Sequence, residues 1–304
     1  MRFIILASLA LLAACAEPPR ELPCGLLHAA ELDVVSAGRA PLVNVSINGQ
    51  SAALIMDTGA QTSVLTRAAV QRLGLKSDLK APITLRGAGG ETRNWPAIVT
   101  GLTIGPMRLP DRTAAVLPFD LPEIAGQKTD GLLGMDILGK FEIDLNLPQK
   151  RVGLYLGQVC PAEVLPVAGR PIAIEPAGLR RGRMVIEVQL DGRTLSAMLD
   201  TGNDRTIVMT EAVLPGGLTR EMLARDPVVN LRGAGPDITA ARLHRFAGLA
   251  IGPERFGSPQ VQVMNRQGDE DDMIIGSDYL ASRRLWLAYP RQKLFLIVPA
   301  APAG

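Results

Sequence analysis

Histidine is nearly absent from this chain. Its 304 residues contain two, His28 and His244, set far apart. Neither has a second histidine at ligand spacing, so a zinc hydrolase lacks its ligand set, and no serine or cysteine has a convincing base partner. Aromatic residues are scarce at 4%, which leaves Leu, Val, Ile and Ala to fill the core of a chain that is 47% hydrophobic. An excess of either charge is also missing. The 32 basic and 30 acidic residues, interspersed, sum to +2 and offer no basic field for nucleic acid. The acidic run Asp269-Glu270-Asp271-Asp272 lacks the pattern of a calcium loop and reads as a solvated loop. Arg180-Arg181 and Arg283-Arg284 read as surface charge. Gly87-Ala88-Gly89-Gly90 is followed by no Lys-Ser or Lys-Thr, which removes a phosphate-binding loop. Neither metal nor cofactor is expected.

Cysteines number three. The first closes an apolar stretch near the start: Arg2 precedes apolar residues 3–12, too short to anchor stably across a bilayer, and Leu12-Ala13-Ala14-Cys15 ends the stretch with small residues. That ending resembles a bacterial lipoprotein signal, which implies that residues 1–14 are removed and that Cys15 carries lipid. Ala16 is not the Asp that favours inner-membrane retention in such proteins, so the resemblance implies anchoring at the periplasmic face of the outer membrane. Residues 15–29, rich in proline and small residues, read as a tether. Disulfides persist in exported proteins, and a staple between Cys24 and Cys160 is expected to close the first half of the chain. Two free buried thiols are the alternative.

What is abundant is repetition. Asp57-Thr58-Gly59 and Asp200-Thr201-Gly202 lie 143 positions apart, each after an apolar run and before a polar turn. Leu85-Arg86-Gly87-Ala88-Gly89 recurs as Leu231-Arg232-Gly233-Ala234-Gly235, and Leu102-Thr103-Ile104-Gly105-Pro106 as Leu249-Ala250-Ile251-Gly252-Pro253. Leu132-Leu133-Gly134-Met135-Asp136 recurs as Ile274-Ile275-Gly276-Ser277-Asp278. Four landmarks keep their order and nearly their spacing, so one unit of roughly 130 residues is written twice.

Each copy reads as mainly β with a few short helices. Residues 42–47, Asn48-Gly49 and residues 51–56 make a hairpin that delivers a strand to Asp57. Thr66 caps a short helix over 67–73 that Gly74 ends. Residues 85–99 form a second hairpin with glycines at its tip, and 141–147 with 152–156 a closing hairpin. The second copy repeats this with 184–190, Asp191-Gly192 and 194–199, and with a closing hairpin over 286–298. Asp136 and Asp278 are expected to cap the helix that follows each of them. Between the copies, residues 157–171 carry Pro161, Pro166, Pro171, Gly157 and Gly169, a linker composition.

The order of apolar strand, Asp-Thr-Gly, glycine-rich hairpin, then two apolar residues before Gly and a short helix resembles the retropepsin-like and pepsin-like aspartic proteases. The resemblance covers about residues 40–156 and 182–298. It implies an all-β bilobal acid-protease fold, with two retropepsin-like closed-barrel lobes at 30–156 and 172–298 and a tail at 299–304. It also implies Asp57 and Asp200 as a catalytic dyad between the lobes, with Thr58 and Thr201 bonding across the junction. Two carboxyls in near contact supply both the base and the acid that amide hydrolysis by water requires, because such a pair holds one proton over a wide pH range. Gly59 and Gly202 leave room for backbone amides beside each acid. Ala60 and Asn203 follow, and Ala60 has no hydroxyl to favour ionisation, so a mildly acidic pH optimum is expected. Gly87, Ala88 and Gly89, with Gly233, Ala234 and Gly235, are expected as flaps over an extended peptide or protein substrate. Both halves of the dyad lie in one chain, which implies a working monomer. Two other readings remain open: a non-catalytic peptide-binding envelope protein of the same fold, and a hydrolase held inactive by its own leader or linker.

Overall fold

A computed structural model describes residues 25–35, 40–87, 90–157, 165–232, 238–265 and 271–299. Tight turns set the local structure. Asn48 and Gly49 have φ of 52° and 76°, and Asp191 and Gly192 have 49° and 78°, the two-residue turn whose twist matches that of its flanking strands. Thr66 caps the helix Arg67–Arg72 by accepting from Ala69 N at 3.1 Å, and Gly74 turns the chain out of it at φ 63°.

The expected hairpin over 85–99 is broken. Strands Ile83–Gly87 and Gly90–Asn94 pair with each other, and a separate strand, Ala97–Val99, follows Pro96. Proline cannot donate to a ladder, and strands stop at it.

Each copy builds its own sheet in the same order. In the first, nine strands run Met107–Arg108, Leu102–Ile104, Leu42–Ile47, Gln50–Met56, Gly131–Leu133, Val64–Thr66, Arg112–Leu117, Ala97–Val99, Lys76–Ser77. The second reads likewise from Glu254–Gly257 through Gly248–Ile251, Arg183–Leu190, Arg193–Leu199, Met273–Ile275, Ile207–Met209, Gln260–Met264 and Ile238–Arg245 to Val228–Arg232. At the centre of each, the strand entering the Asp turn and the strand leaving it are separated by a third: Gly131–Leu133 is parallel to Gln50–Met56 and antiparallel to Val64–Thr66. Met273–Ile275 does the same in the second copy. The chain is therefore all-β and duplicated. In the second copy a tenth strand, Pro176–Arg180, also pairs with Arg183–Leu190 off this path, and the strand pairings among the described residues give no closed barrel.

A third sheet joins the lobes. Its six strands run Leu26–Asp33, Arg151–Gly157, Glu142–Asn146, Arg284–Ala288, Lys293–Val298, Arg170–Ile174. The two closing hairpins, each expected within its own lobe, pair through Glu142–Asn146 and Arg284–Ala288, with Ile143 opposite Leu287 and Leu145 opposite Leu285. Those four side chains enter a core that continues from one lobe into the other. Two expected boundaries move as a result. Residues 26–29, expected in the tether, begin the first strand, where Leu26 is fully buried. Arg170 and Pro171, expected in the linker, lie in the last strand. Cys15, Cys24 and Cys160 lie outside the described residues. Among the described residues no helix is long and apolar enough to cross a membrane.

The other face of the joining sheet carries charge. Glu142 accepts from Trp286 Nε1 at 2.7 Å and from Arg291 Nε and a terminal nitrogen at 2.6 Å each. Asp144 takes Arg284 in two bonds of 2.8 and 2.6 Å. Arg284 is thus an interlobe ion-pair partner and not surface charge. Arg283 binds Glu254 and lies over the rings of Phe256 and Tyr279. Arg180 pairs at 2.6 Å with Asp271, which is buried, so the described part of the acidic run is not a solvated loop.

Candidate active site

Asp57 stands where the strand Gln50–Met56 ends. Its backbone N donates to Leu133 O at 3.0 Å, and Asp200 N donates to Ile275 O at 3.0 Å, so each acid is held by the strand inserted beside it. The carboxylate then gathers the amides of its own turn. Asp57 Oδ1 accepts from Gly59 N at 2.9 Å and Ala60 N at 2.8 Å, and Asp200 Oδ1 from Gly202 N at 2.8 Å. Asn203 places its amide near Asp200, while its side-chain oxygen turns away to Arg205 N at 3.4 Å.

The two turns interlock. Thr58 N donates to Thr201 Oγ1 at 3.1 Å and Thr201 N to Thr58 Oγ1 at 3.0 Å. Each hydroxyl donates across the junction, Thr58 Oγ1 to Leu199 O at 2.8 Å and Thr201 Oγ1 to Met56 O at 2.5 Å. Both threonines are buried, so all four polar groups depend on this exchange. The glycines face the opposite acid: a Cβ on Gly59 would lie 2.3 Å from Asp200 Cγ, and one on Gly202 would lie 2.3 Å from Asp57 Cγ. A side chain at either position would occupy the space of the dyad.

The carboxyls of Asp57 and Asp200 are half-buried and share a side-chain hydrogen bond. Burial between the lobes pushes Asp57 well above the usual carboxylate range, and the Asp200 charge pushes it further, against the amides of Gly59 and Ala60. Burial also raises Asp200, less strongly, because the Gly202 and Asn203 amides, the bond to Asp57 and the Arg183 charge oppose it. Like charges this close cannot both ionise cheaply, so the titrations of the two carboxyls are coupled.

Asp136 and Asp278 do something other than cap helices. Gly134 and Gly276 occupy the N-cap positions, without side-chain cap bonds. Asp136 Oδ1 accepts from Ser63 N and Oγ at 2.7 Å each, and Asp278 accepts from Thr206 N at 2.9 Å and Oγ1 at 2.7 Å. They fasten the chain leaving the Asp turn to the inserted strand. Gly134 and Gly276 allow it, since a Cβ there would lie 2.6 Å from Thr62 C and 2.4 Å from Arg205 C. Asp130 and Asp272 form a further pair that sequence reasoning missed, accepting from Ala53 N and Ser196 N at 2.9 Å each. The signal was present, because these acids recur at the duplication offset and in front of the same apolar pair. Asp204, which accepts from Ala40 N in the other lobe at 3.0 Å, has no such signal.

The glycine-rich hairpins differ between lobes. Ile83–Gly87 and Gly90–Asn94 stand as a separate two-stranded sheet, whereas Val228–Arg232 and Ile238–Arg245 are built into the second lobe's sheet. Gly87 ends the first strand of its hairpin; Ala88, Gly89, Gly233, Ala234 and Gly235 lie outside the described residues. Beneath the first hairpin, Ile83 and Leu85 pack with Ala60, Phe119 and Leu121 on an apolar cluster. The matching buried cluster of the second lobe is rich in methionine, with Met198, Met209 and Met264. The histidines stay apart, His28 against Glu31 at 3.2 Å and His244 against Asp226 at 2.7 Å.

A family model described as aspartyl protease matches the chain twice, over residues 43–137 and 186–279. Comparison with curated proteins finds no match.

Proposed function

The chain belongs to the aspartyl protease family, and from that premise we propose an aspartic endopeptidase whose Asp57 and Asp200, one from each lobe, activate a single water. The reciprocal fit of Gly59 against Asp200 and Gly202 against Asp57 carries this reading, because it brings each carboxyl against the turn that holds the other. In the singly ionised pair, the charged carboxyl takes a proton from water while the protonated one gives its proton to the peptide carbonyl oxygen. The tetrahedral diol then collapses as the newly protonated carboxyl gives its proton to the leaving amine while the other carboxylate takes one from a diol hydroxyl, which resets the pair. A peptide lying extended past the partly exposed Ile83 and Leu85 of the first hairpin meets both acids at one carbonyl.

The test uses protein beginning at Ala16, a peptide mixture and a pH series, with and without pepstatin. Because both acids are raised, the singly ionised form spans a window shifted upward from the usual carboxylate range. The expected rate profile is a pepstatin-sensitive bell in mild acid. A maximum below about pH 3, or cutting indifferent to pepstatin, contradicts the reading.

Placement follows from the leader. We infer a lipid at Cys15, anchoring at the periplasmic face of the outer membrane, and a monomer carrying its whole dyad. A Cys24–Cys160 staple is supported by the register of the neighbouring strands, in which Leu26 stands opposite Gly157. Intact mass of the membrane-extracted protein checks both points. The expected species begins at an acylated Cys15 and has no thiol that alkylates before reduction; an unmodified terminus or two alkylated thiols removes the corresponding inference.

A further inference from the structure

Beneath the two Asp turns the duplication is kept in the backbone and broken in one side chain. The inserted strand of each lobe leads into a short helix, Met135–Leu138 in the first and Ser277–Leu280 in the second. The first residue of each helix reaches back to the Asp turn with its backbone N–H. Met135 N donates to Ala60 O at 2.9 Å, and Ser277 N donates to Asn203 O at 2.7 Å. Ser277 then adds a bond that methionine has no group to make. Its hydroxyl donates to Thr201 O at 2.9 Å, and the residue is fully buried.

That carbonyl is one end of a peptide whose other end serves the dyad. The Thr201–Gly202 peptide turns its C=O to Ser277 and its N–H to Asp200 Oδ1, at 2.8 Å. A hydrogen bond at the oxygen polarises the peptide and makes its N–H a better donor. It also fixes the plane of a peptide flanked by glycine, where the absent Cβ leaves rotation least hindered. The two acids differ in how much they depend on such an amide. Asp57 Oδ1 is bonded by both Gly59 and Ala60, whereas Asp200 Oδ1 is bonded by Gly202, with the Asn203 amide near it. Burial raises Asp200, and the Gly202 amide is the foremost influence against that rise.

We propose that Ser277 is a positioning residue for the reaction, bracing the Thr201–Gly202 peptide so that its amide stays on the Asp200 carboxylate. The inference rests on the dyad reading above. The brace favours negative charge on Asp200, the acid of the pair with the weaker hold from its own turn. The charged and titratable groups facing Asp200 are Asp57, Arg183 and the buried phenol of Tyr289. Asp278, next to Ser277 in the chain, is committed to Thr206, and Asp204 to Ala40 of the other lobe. Ser277 itself carries no charge, so it acts on Asp200 only through the peptide it holds.

The experiment places Ser277→Ala in two backgrounds that each keep one acid of the pair, Asp200 in Asp57→Asn and Asp57 in Asp200→Asn. The carboxyl-carbon NMR signal of the remaining acid, identified by its loss in the doubly substituted Asn variant, is titrated with and without Ser277→Ala. Weakening a donor to a carboxylate raises its pKa. Asp200 is therefore expected to titrate higher by a few tenths of a unit to about one unit, and Asp57 to stay where it was. An unmoved Asp200, or equal shifts of both acids, overturns the proposal and leaves Ser277 a packing residue, even where Tm falls by a few degrees for the carbonyl that lost its donor. With both acids present, Ser277→Ala is expected to move the acid limb of the rate profile to higher pH and to lower kcat about two- to tenfold, the size of one neutral hydrogen bond. KM is expected to hold, since a fully buried residue does not touch substrate. If wild type cuts no peptide at any pH, the endopeptidase reading fails, while the two titrations still decide the role of Ser277.

Discussion

Asp57→Asn and Asp200→Asn are each expected to lower peptide hydrolysis by at least roughly 10²–10⁴-fold, the usual worth of a positioned acid or base, while raising stability at neutral pH. The two effects share one origin. Both carboxyls are held above their ordinary range in the folded protein, so the folded state binds protons more tightly than the unfolded chain. Stability therefore falls as pH rises from the unfolded carboxylate value, near 4, through the folded values of the pair. Either substitution removes one buried carboxylate, and with it that group's desolvation and its repulsion of the other acid. Tm at pH 7 is expected to rise, by about 2–4 °C for each kcal/mol released in a chain of this size, and the gain is expected to vanish near pH 4 or below. Calorimetry over a pH series checks this. A variant that loses activity and also loses stability at pH 7 would mean that the acids serve the lobe junction, not strained chemistry.

The largest loss of stability is expected far from the dyad, at Arg291→Ala. Glu142 is buried in the joining sheet with its charge met by Arg291 and its remaining capacity by Trp286. Removing one member of a buried, hydrogen-bonded ion pair leaves an uncompensated charge, at a cost of about 3–5 kcal/mol. That predicts a fall in Tm on the order of 10 °C. Arg291→Lys is expected to recover only part of it, because an ammonium cannot make the two parallel bonds. The combination Glu142→Leu with Arg291→Met removes both charges of the pair while orphaning the Trp286 N–H, so it is expected to be clearly more stable than Arg291→Ala alone. A double variant no better than the single one would show that the charges are not what holds this face. Loss of activity alongside stability is expected too, since the same sheet sets the separation of the two lobes and hence of the acids.

The joining sheet marks where sequence reading stopped. The hairpins over 141–156 and 286–298 were legible from alternation and from the Leu147-Pro148 and Tyr289-Pro290 turns, but each was placed within its own lobe. Nothing local says that Glu142 should face Ala288 and not another strand of its own half. Arg284 therefore reads as surface charge, although its partner Asp144 lies 140 positions away, and nothing in the sequence singles out Glu142 and Arg291, which pair across 149. The same limit explains Asp136 and Asp278. Their helix-start position suggested capping, whereas Ser63 and Thr206, some 70 residues earlier, claim both carboxylates. A local rule lost to a long-range bond that only the inserted strand brings within reach.

By itself the sequence determined the all-β class, the duplication, the hairpin turns, and the two Asp-Thr-Gly landmarks, because each is written in neighbouring residues: alternation with period two, left-handed turn positions, and a motif repeated at a fixed offset. The tertiary structure alone decided that the two copies share one core and one joining sheet. It also decided that Thr58 and Thr201 exchange bonds across the junction and that each glycine abuts the opposite acid. These are contacts between residues more than a hundred positions apart, and chain spacing carries no record of which distant groups will meet. Their energetics, from the raised carboxyls to the buried ion pairs, arise from desolvation, which depends on what surrounds a group in space and not on its neighbours in sequence.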